Sequence, residues 1–102
     1  MALPARNHRI SLKDAAALTK RHRDADPKGM KGGALHKDQV LELLNQPGCV
    51  GMRVYFGRSA DSSPSLVLTG IDAADNDLVG GTMLEDIFWC PPLCGGGNAL
   101  NS

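Results

Sequence analysis

Aromatic side chains are scarce in this sequence: two Phe, one Tyr and one Trp, together 4% of 102 residues. A core must therefore come from Leu, Val, Ile, Met and Ala, which bury less area per side chain, while twelve glycines add entropy to the unfolded state. Modest stability is expected, with self-association as a source of support. Long apolar runs are missing as well. None approaches the roughly 20 residues that a bilayer-spanning helix needs, so no membrane partner is expected. Cysteine is sparse and odd in number, three residues, with no apolar leader at the N-terminus. That combination is expected of a cytoplasmic protein and disfavours a disulfide-built secreted scaffold. Net charge is absent: 11 Lys and Arg balance 11 Asp and Glu. Catalytic signatures are missing too. There is no Gly-x-Ser-x-Gly, no His-Glu-x-x-His and no P-loop, so the expectation leans away from an enzyme and no cofactor is expected.

What remains is enough for one small folded domain. Apolar residues make up 42% of the chain, within the globular range. The zero net charge conceals an uneven distribution. Residues 1–40 carry nine Lys and Arg against four Asp and Glu, or +5, and residues 41–102 carry two against seven, or −5. If both faces persist on folding, the basic face of one copy meets the acidic face of another, a heterologous contact that builds rings or filaments. Two solvated faces of a compact domain account for the same numbers. The local cluster Lys20-Arg21-His22-Arg23 has the composition of a phosphate contact, but without aromatics between its charges or a basic surplus nucleic acid is not an expected partner.

Periodicity divides the chain. Residues 1–10 have none and read as a flexible N-terminus. Ser11 with Asp14 three residues on marks a helix start, and residues 12–24 project as an amphipathic helix with Leu12, Ala15, Ala16, Leu18 and Thr19 on one side. Residues 26–33, with Pro27 and three glycines, read as a loop. A second helix over 36–46 carries Val40, Leu43, Leu44 and marginally Leu41 as its stripe, and Pro47-Gly48 ends it. The period then becomes two: Val50, Met52, Val54 and Phe56 alternate with Cys49, Gly51, Arg53 and Tyr55. A second strand follows at 66–71, giving an antiparallel hairpin over 49–58 and 65–72. Arg53, on the face opposite Val54, is read as solvent-facing or as paired with an acidic side chain or a partner. Asp72, Asp75, Asn76 and Asp77 fit an Asx-type turn and not an EF-hand loop. Residues 79–85 suit a short third strand or an irregular segment, with Phe88 and Trp89 docking Cys90 on the body. The expected fold class is α+β: two N-terminal helices packed on a small antiparallel sheet, in one domain over 11–89, followed by an irregular tail over 90–102.

The tail, Cys90-Pro91-Pro92-Leu93-Cys94 and then three glycines, is the most unusual segment. A fully polyproline run would hold the two cysteine Cα atoms about 12 Å apart. A disulfide needs about 4.4–6.8 Å, so pairing requires a tight turn or a cis proline. Three readings stand side by side: Cys90 as a small buried hydrophobe with Cys94 incidental, a local disulfide, and a metal site that recruits Cys49.

Residues 41–57 (Leu-Glu-Leu-Leu-Asn-Gln-Pro-Gly-Cys-Val-Gly-Met-Arg-Val-Tyr-Phe-Gly), residues 66–72 (Leu-Val-Leu-Thr-Gly-Ile-Asp), and Cys90-Pro91-Pro92-Leu93-Cys94 with Asn98 and Leu100 resemble a family of small uncharacterised bacterial proteins with this C-terminal Cys-Pro-Pro-x-Cys motif. The resemblance implies that Gln46, Cys49, Arg53 and the tail belong to one recurrent architecture, with Cys49 near the tail. It implies no activity. The function expected is a non-enzymatic interaction and assembly module forming a homo-oligomer through its charge-asymmetric faces and its tail, with Arg53, Trp89, Cys90, Pro91, Pro92 and Cys94 as contact residues. The alternative is a thiol-based metal-binding or redox protein using Cys90, Cys94 and Cys49.

Overall fold

The computed structural model describes residues 2–102. Each helix begins where local chemistry starts it. Helix α1 (Leu12–Ala25) is capped by Ser11, whose Oγ accepts from the Asp14 N–H at 3.1 Å. It stops at Asp26, whose N–H bonds His22 O, immediately before Pro27. Helix α2 (Lys37–Leu44) follows His36 at its N-cap and ends ahead of Pro47 and Gly48, the latter at φ +77°.

The chain folds as two compact units, and the fold is α+β. One unit comprises residues 2–5 with Leu35–Ile87. It contains α2 and a three-stranded antiparallel sheet in the order β2-β3-β4, from β2 (Gly51–Arg58), β3 (Pro64–Ile71) and β4 (Met83–Leu84). The β2–β3 hairpin runs in unbroken register from Gly51 opposite Ile71 to Arg58 opposite Pro64. The expected third strand is present, reduced to two residues, with Leu84 opposite Leu68. Central β3 is buried from Leu68 to Ile71, as a strand covered on both faces must be. Among the described residues, the buried apolar side chains Leu43, Leu68, Ile71 and Ile87 all belong to this unit.

Helix α2 packs on β3 and β4. Leu43 is its one buried residue and is fully enclosed. Gln46 then ties the helix end to the sheet: its Nε2 donates to Leu43 O and its Oε1 accepts from the Thr82 N–H, each at 2.7 Å. Two glycines permit this approach. A Cβ on Gly81 would lie 1.9 Å from Gln46 Oε1, and one on Gly70 would lie 3.0–3.1 Å from Cys49 Sγ, Gln46 Nε2 and Leu78 Cδ1.

The other unit comprises Arg6–Ala34 with Phe88–Ser102. Here the structure corrects the sequence expectation, because the glycine-rich loop of 26–33 does not end as loop. Gly32–Ala34 forms β1, paired antiparallel with β5 (Phe88–Cys90), with Gly32 opposite Cys90. Helix α1 belongs to this unit and has no buried residue. Nor is any other described residue of the unit buried, so apolar packing is not what holds it. A covalent link and polar contacts do so.

These observations separate the two units energetically. Leu43→Ala is expected to cost about 2–5 kcal/mol of the stability of the larger unit, and Gly70→Ala about 1–3 kcal/mol through overpacking, both read from urea unfolding curves. An unchanged midpoint for Leu43→Ala would refute this placement of the core.

Candidate functional site

The two faces of β2 have different fates, because side chains alternate along a strand. Arg53 and Tyr55 point to one face, and the turn after β3 folds over them. Within that turn Asp72 Oδ1 accepts from the N–H groups of Ala74 and Asn76, the Asx arrangement expected from the sequence, and Asp75 takes φ +68°. Arg53 Nη1 donates to Asp77 Oδ1 at 2.6 Å, and its Nη2 pairs with Asp75 Oδ1. The Tyr55 hydroxyl donates to the second oxygen of Asp77. The Arg53 guanidinium, a contact candidate in the sequence, is thereby engaged by two carboxylates of its own chain.

This network shifts three ionisations. The Tyr55 hydrogen bond, and after it Arg53, holds the Asp77 carboxyl below its ordinary range. The same bond to Asp77 raises the Tyr55 phenol, with desolvation adding to it, and Arg53 is raised by its bonds to Asp77 and Asp75. Because the folded value of Asp77 lies below the unfolded one, its contribution to stability is present above the ordinary carboxylate range. It is lost as pH falls through the lowered value. The contribution from Tyr55 has the opposite sense: it is present below the ordinary phenol range and disappears as pH rises through the raised value.

The opposite face of β2 is uncovered. Met52, Val54 and Phe56 stand opposite Gly70, Leu68 and Leu66 and share their side of the sheet. That is also the side of Gln46, which approaches Gly70 from the end of α2. A helix is about 10 Å across and strands are about 4.8 Å apart, so one helix covers two strands. Helix α2 takes β3 and β4, and β2 is left over. Val50 is 57% exposed, Met52 41%, Val54 47% and Phe56 93%. The alternation seen in the sequence is real, but in an edge strand its apolar side does not become core. The outer edge of β2 has no strand partner among the described residues, and the strand carries neither Lys nor Pro, two residues that commonly protect such an edge.

In the tail, the open choice among three thiol readings resolves into a disulfide between Cys90 and Cys94, with Cα atoms 4.6 Å apart. Cys90-Pro91 and Pro91-Pro92 are both cis, and the Leu93 N–H closes the turn on Trp89 O at 3.0 Å. Two of the three sulfurs are thus bonded to each other, and Cys49 holds the free thiol, donating to Gly51 O. Among the described residues no three His, Cys, Asp or Glu gather as a ligand set. No helix among them is long and apolar enough to cross a membrane.

The basic cluster on α1 has structural employment. Lys20 pairs with Asp24, and His22 Nε2 donates to Met30 O. Arg23 donates to Leu100 O at 2.6 Å and to Ser102 O at 2.9 Å, and Lys31 Nζ donates to Asn101 O at 2.8 Å. The tail from Trp89 to Cys94 is thus anchored in its own unit, with β1 on one side of Cys90 and the last residues held by α1 and Lys31. Arg53 and Cys49 belong to the other unit. The sequence reading missed Phe56, Met52 and Val54 as surface, Tyr55 and Asp77 as partners, and Arg23 and Lys31 as tail contacts.

No family model, curated protein or solved structure matches the chain. The Arg53 network gives the site its most direct check. Tyr55→Phe is expected to move the Asp77 pKa up toward its ordinary value in a carbon-detected NMR titration. An unmoved Asp77 would show that Tyr55 does not control it.

Proposed function

We propose that this protein is a small non-enzymatic assembly module, bacterial and cytoplasmic, that forms a homo-oligomer. The observation that carries the proposal is the uncovered apolar face of edge strand β2, with Phe56 93% exposed. Contiguous apolar surface of this kind marks association sites in small proteins. A second feature gives the association direction. The unit containing β2 holds three Lys and Arg against eight Asp and Glu, and the unit containing α1 holds eight against three. The sequence-level charge imbalance therefore coincides with the division into units, −5 and +5. Contacts between unlike units of different copies are heterologous and close into rings or continue as filaments. Within this reading Trp89, Cys90, Pro91, Pro92 and Cys94 maintain the shape of the basic unit.

The disulfide favours a second reading, a thiol redox protein. An external dithiol would deliver two electrons and two protons to Cys90–Cys94, giving two thiols and leaving the reductant as its own disulfide.

Light scattering on a size-exclusion column tests the first reading. At high concentration the mass is expected to be a multiple of 10.8 kDa and to fall as added salt screens the opposed charges. A 10.8 kDa species at every concentration and ionic strength would overturn it. Intact mass spectrometry tests the second, which requires a gain of two hydrogens on dithiol treatment and their loss on reoxidation.

A further inference from the structure

Apart from α1, the smaller unit has two parts. The first is the β1–β5 ribbon, in which Gly32 stands opposite Cys90 and the Lys31 N–H donates to Cys90 O at 2.7 Å. The second is a turn over residues 94–102 that is bonded within itself. The Asn101 side-chain amide donates to Cys94 O and Gly96 O and accepts from the Asn98 N–H, while the backbone N–H groups of Asn101 and Ser102 donate to Asn98 O. Cys90 belongs to the ribbon and Cys94 to the turn, so their disulfide joins the two. Lys31 closes the same circuit from the other side: its N–H holds Cys90 and its Nζ donates to Asn101 O at 2.8 Å.

Little else holds the turn to the ribbon once the sulfurs part. Pro91 and Pro92 have no N–H to donate, which leaves the Leu93 N–H on Trp89 O. The bonds from Arg23 and Lys31 to the turn are exposed, so water competes for both partners. No described residue of the unit is buried, and no apolar packing takes over. The two cysteines are half-buried and the three residues between them exposed, which leaves an approach for a thiolate. From this arrangement we infer that the Cys90–Cys94 bond is a redox latch. Oxidised, it holds the 94–102 turn on the ribbon; reduced, it releases the turn from Arg23 and Lys31, while the unit containing the three-stranded sheet stays folded around its own core. The inference rests on the thiol redox reading and adds a conformational consequence to it. In the reducing step one thiolate of an external dithiol attacks a sulfur of the pair, and its second thiol then displaces the mixed disulfide. The Cys90–Cys94 bond breaks, the reductant's own disulfide forms, and two electrons and two protons end on the two cysteines. A cytoplasmic setting suits such a bond, because disulfides there are mostly transient and regulatory.

Backbone 15N relaxation on the full chain, before and after dithiothreitol, tests the latch, with intact mass reporting the gain of two hydrogens. On reduction the order parameters of Asn98, Leu100 and Asn101 are expected to fall from about 0.85 to below about 0.6 and to recover on reoxidation. Leu78 and Thr82, whose N–H groups bond Gly70 O and Gln46 Oε1 in the other unit, are expected to keep theirs. The double variant Cys90→Ser with Cys94→Ser is expected to show the reduced pattern without reductant and no response to it, whereas Cys49→Ser responds like the parent. The latch is overturned if the turn stays ordered in the reduced chain, if it is already disordered in the oxidised one, or if Leu78 and Thr82 lose order with it. In each of these cases a mass that gains and loses two hydrogens leaves the thiol redox reading standing. If dithiothreitol adds no hydrogens, that reading falls and the latch with it.

Discussion

Enclosure of Leu43 between α2 and the sheet is the contact on which the larger unit depends. With few aromatics available, four aliphatic side chains are the buried apolar residues among those described, and of these Leu43 comes from a helix. Gln46 extends the same contact into the polar register, bonding the helix carbonyl behind it and the Thr82 amide ahead of it. Gly70 and Gly81 are glycines because that bridge occupies the space their side chains would need.

The second unit meets the same shortage by other means. Small folded units without a core depend on covalent links. Here the Cys90–Cys94 bond closes a short turn, the β1–β5 ribbon abuts it, and Arg23 and Lys31 hold the carbonyls beyond it. Of the basic cluster that on sequence alone has the composition of a phosphate contact, Arg23 fastens this tail, together with Lys31 from outside the cluster. In the other unit Asp75 and Asp77 secure a turn against Arg53.

Legibility in the sequence followed side-chain pattern. Ser11 and Asp14 marked the start of α1, the alternation from Val50 to Phe56 and the run from Leu66 to Ile71 marked the hairpin, and Asp72 marked the turn, since each leaves a chemical signature in the residues themselves. Gly32, Gly33 and Ala34 leave none: their pairing with β5 is made by backbone atoms, and only the tertiary fold places Cys90 opposite Gly32. The alternation along β2 was legible, but its exposure was not, because coverage depends on how many strands α2 can span. Tyr55 with Asp77 lay 22 residues apart, joined by a turn geometry that no local pattern reports. For the tail, the proline pair narrowed the choice to a turn or an extended arm without deciding between them.

Arg23 and Lys31 grip the last residues through main-chain oxygens alone, those of Leu100, Asn101 and Ser102. Such a grip measures path length and is blind to chemical identity. Side chains at Leu100 and Ser102 can drift without loosening it, but Asn101 also folds the segment through its amide, which donates to Cys94 O and Gly96 O and accepts from the Asn98 N–H; deletion of a single residue between Cys94 and Leu100 would present the wrong oxygens to both cations. The spacing of this segment is therefore constrained together with its two asparagines, and the glycines from 95 to 97 set a distance as much as they supply a flexible joint.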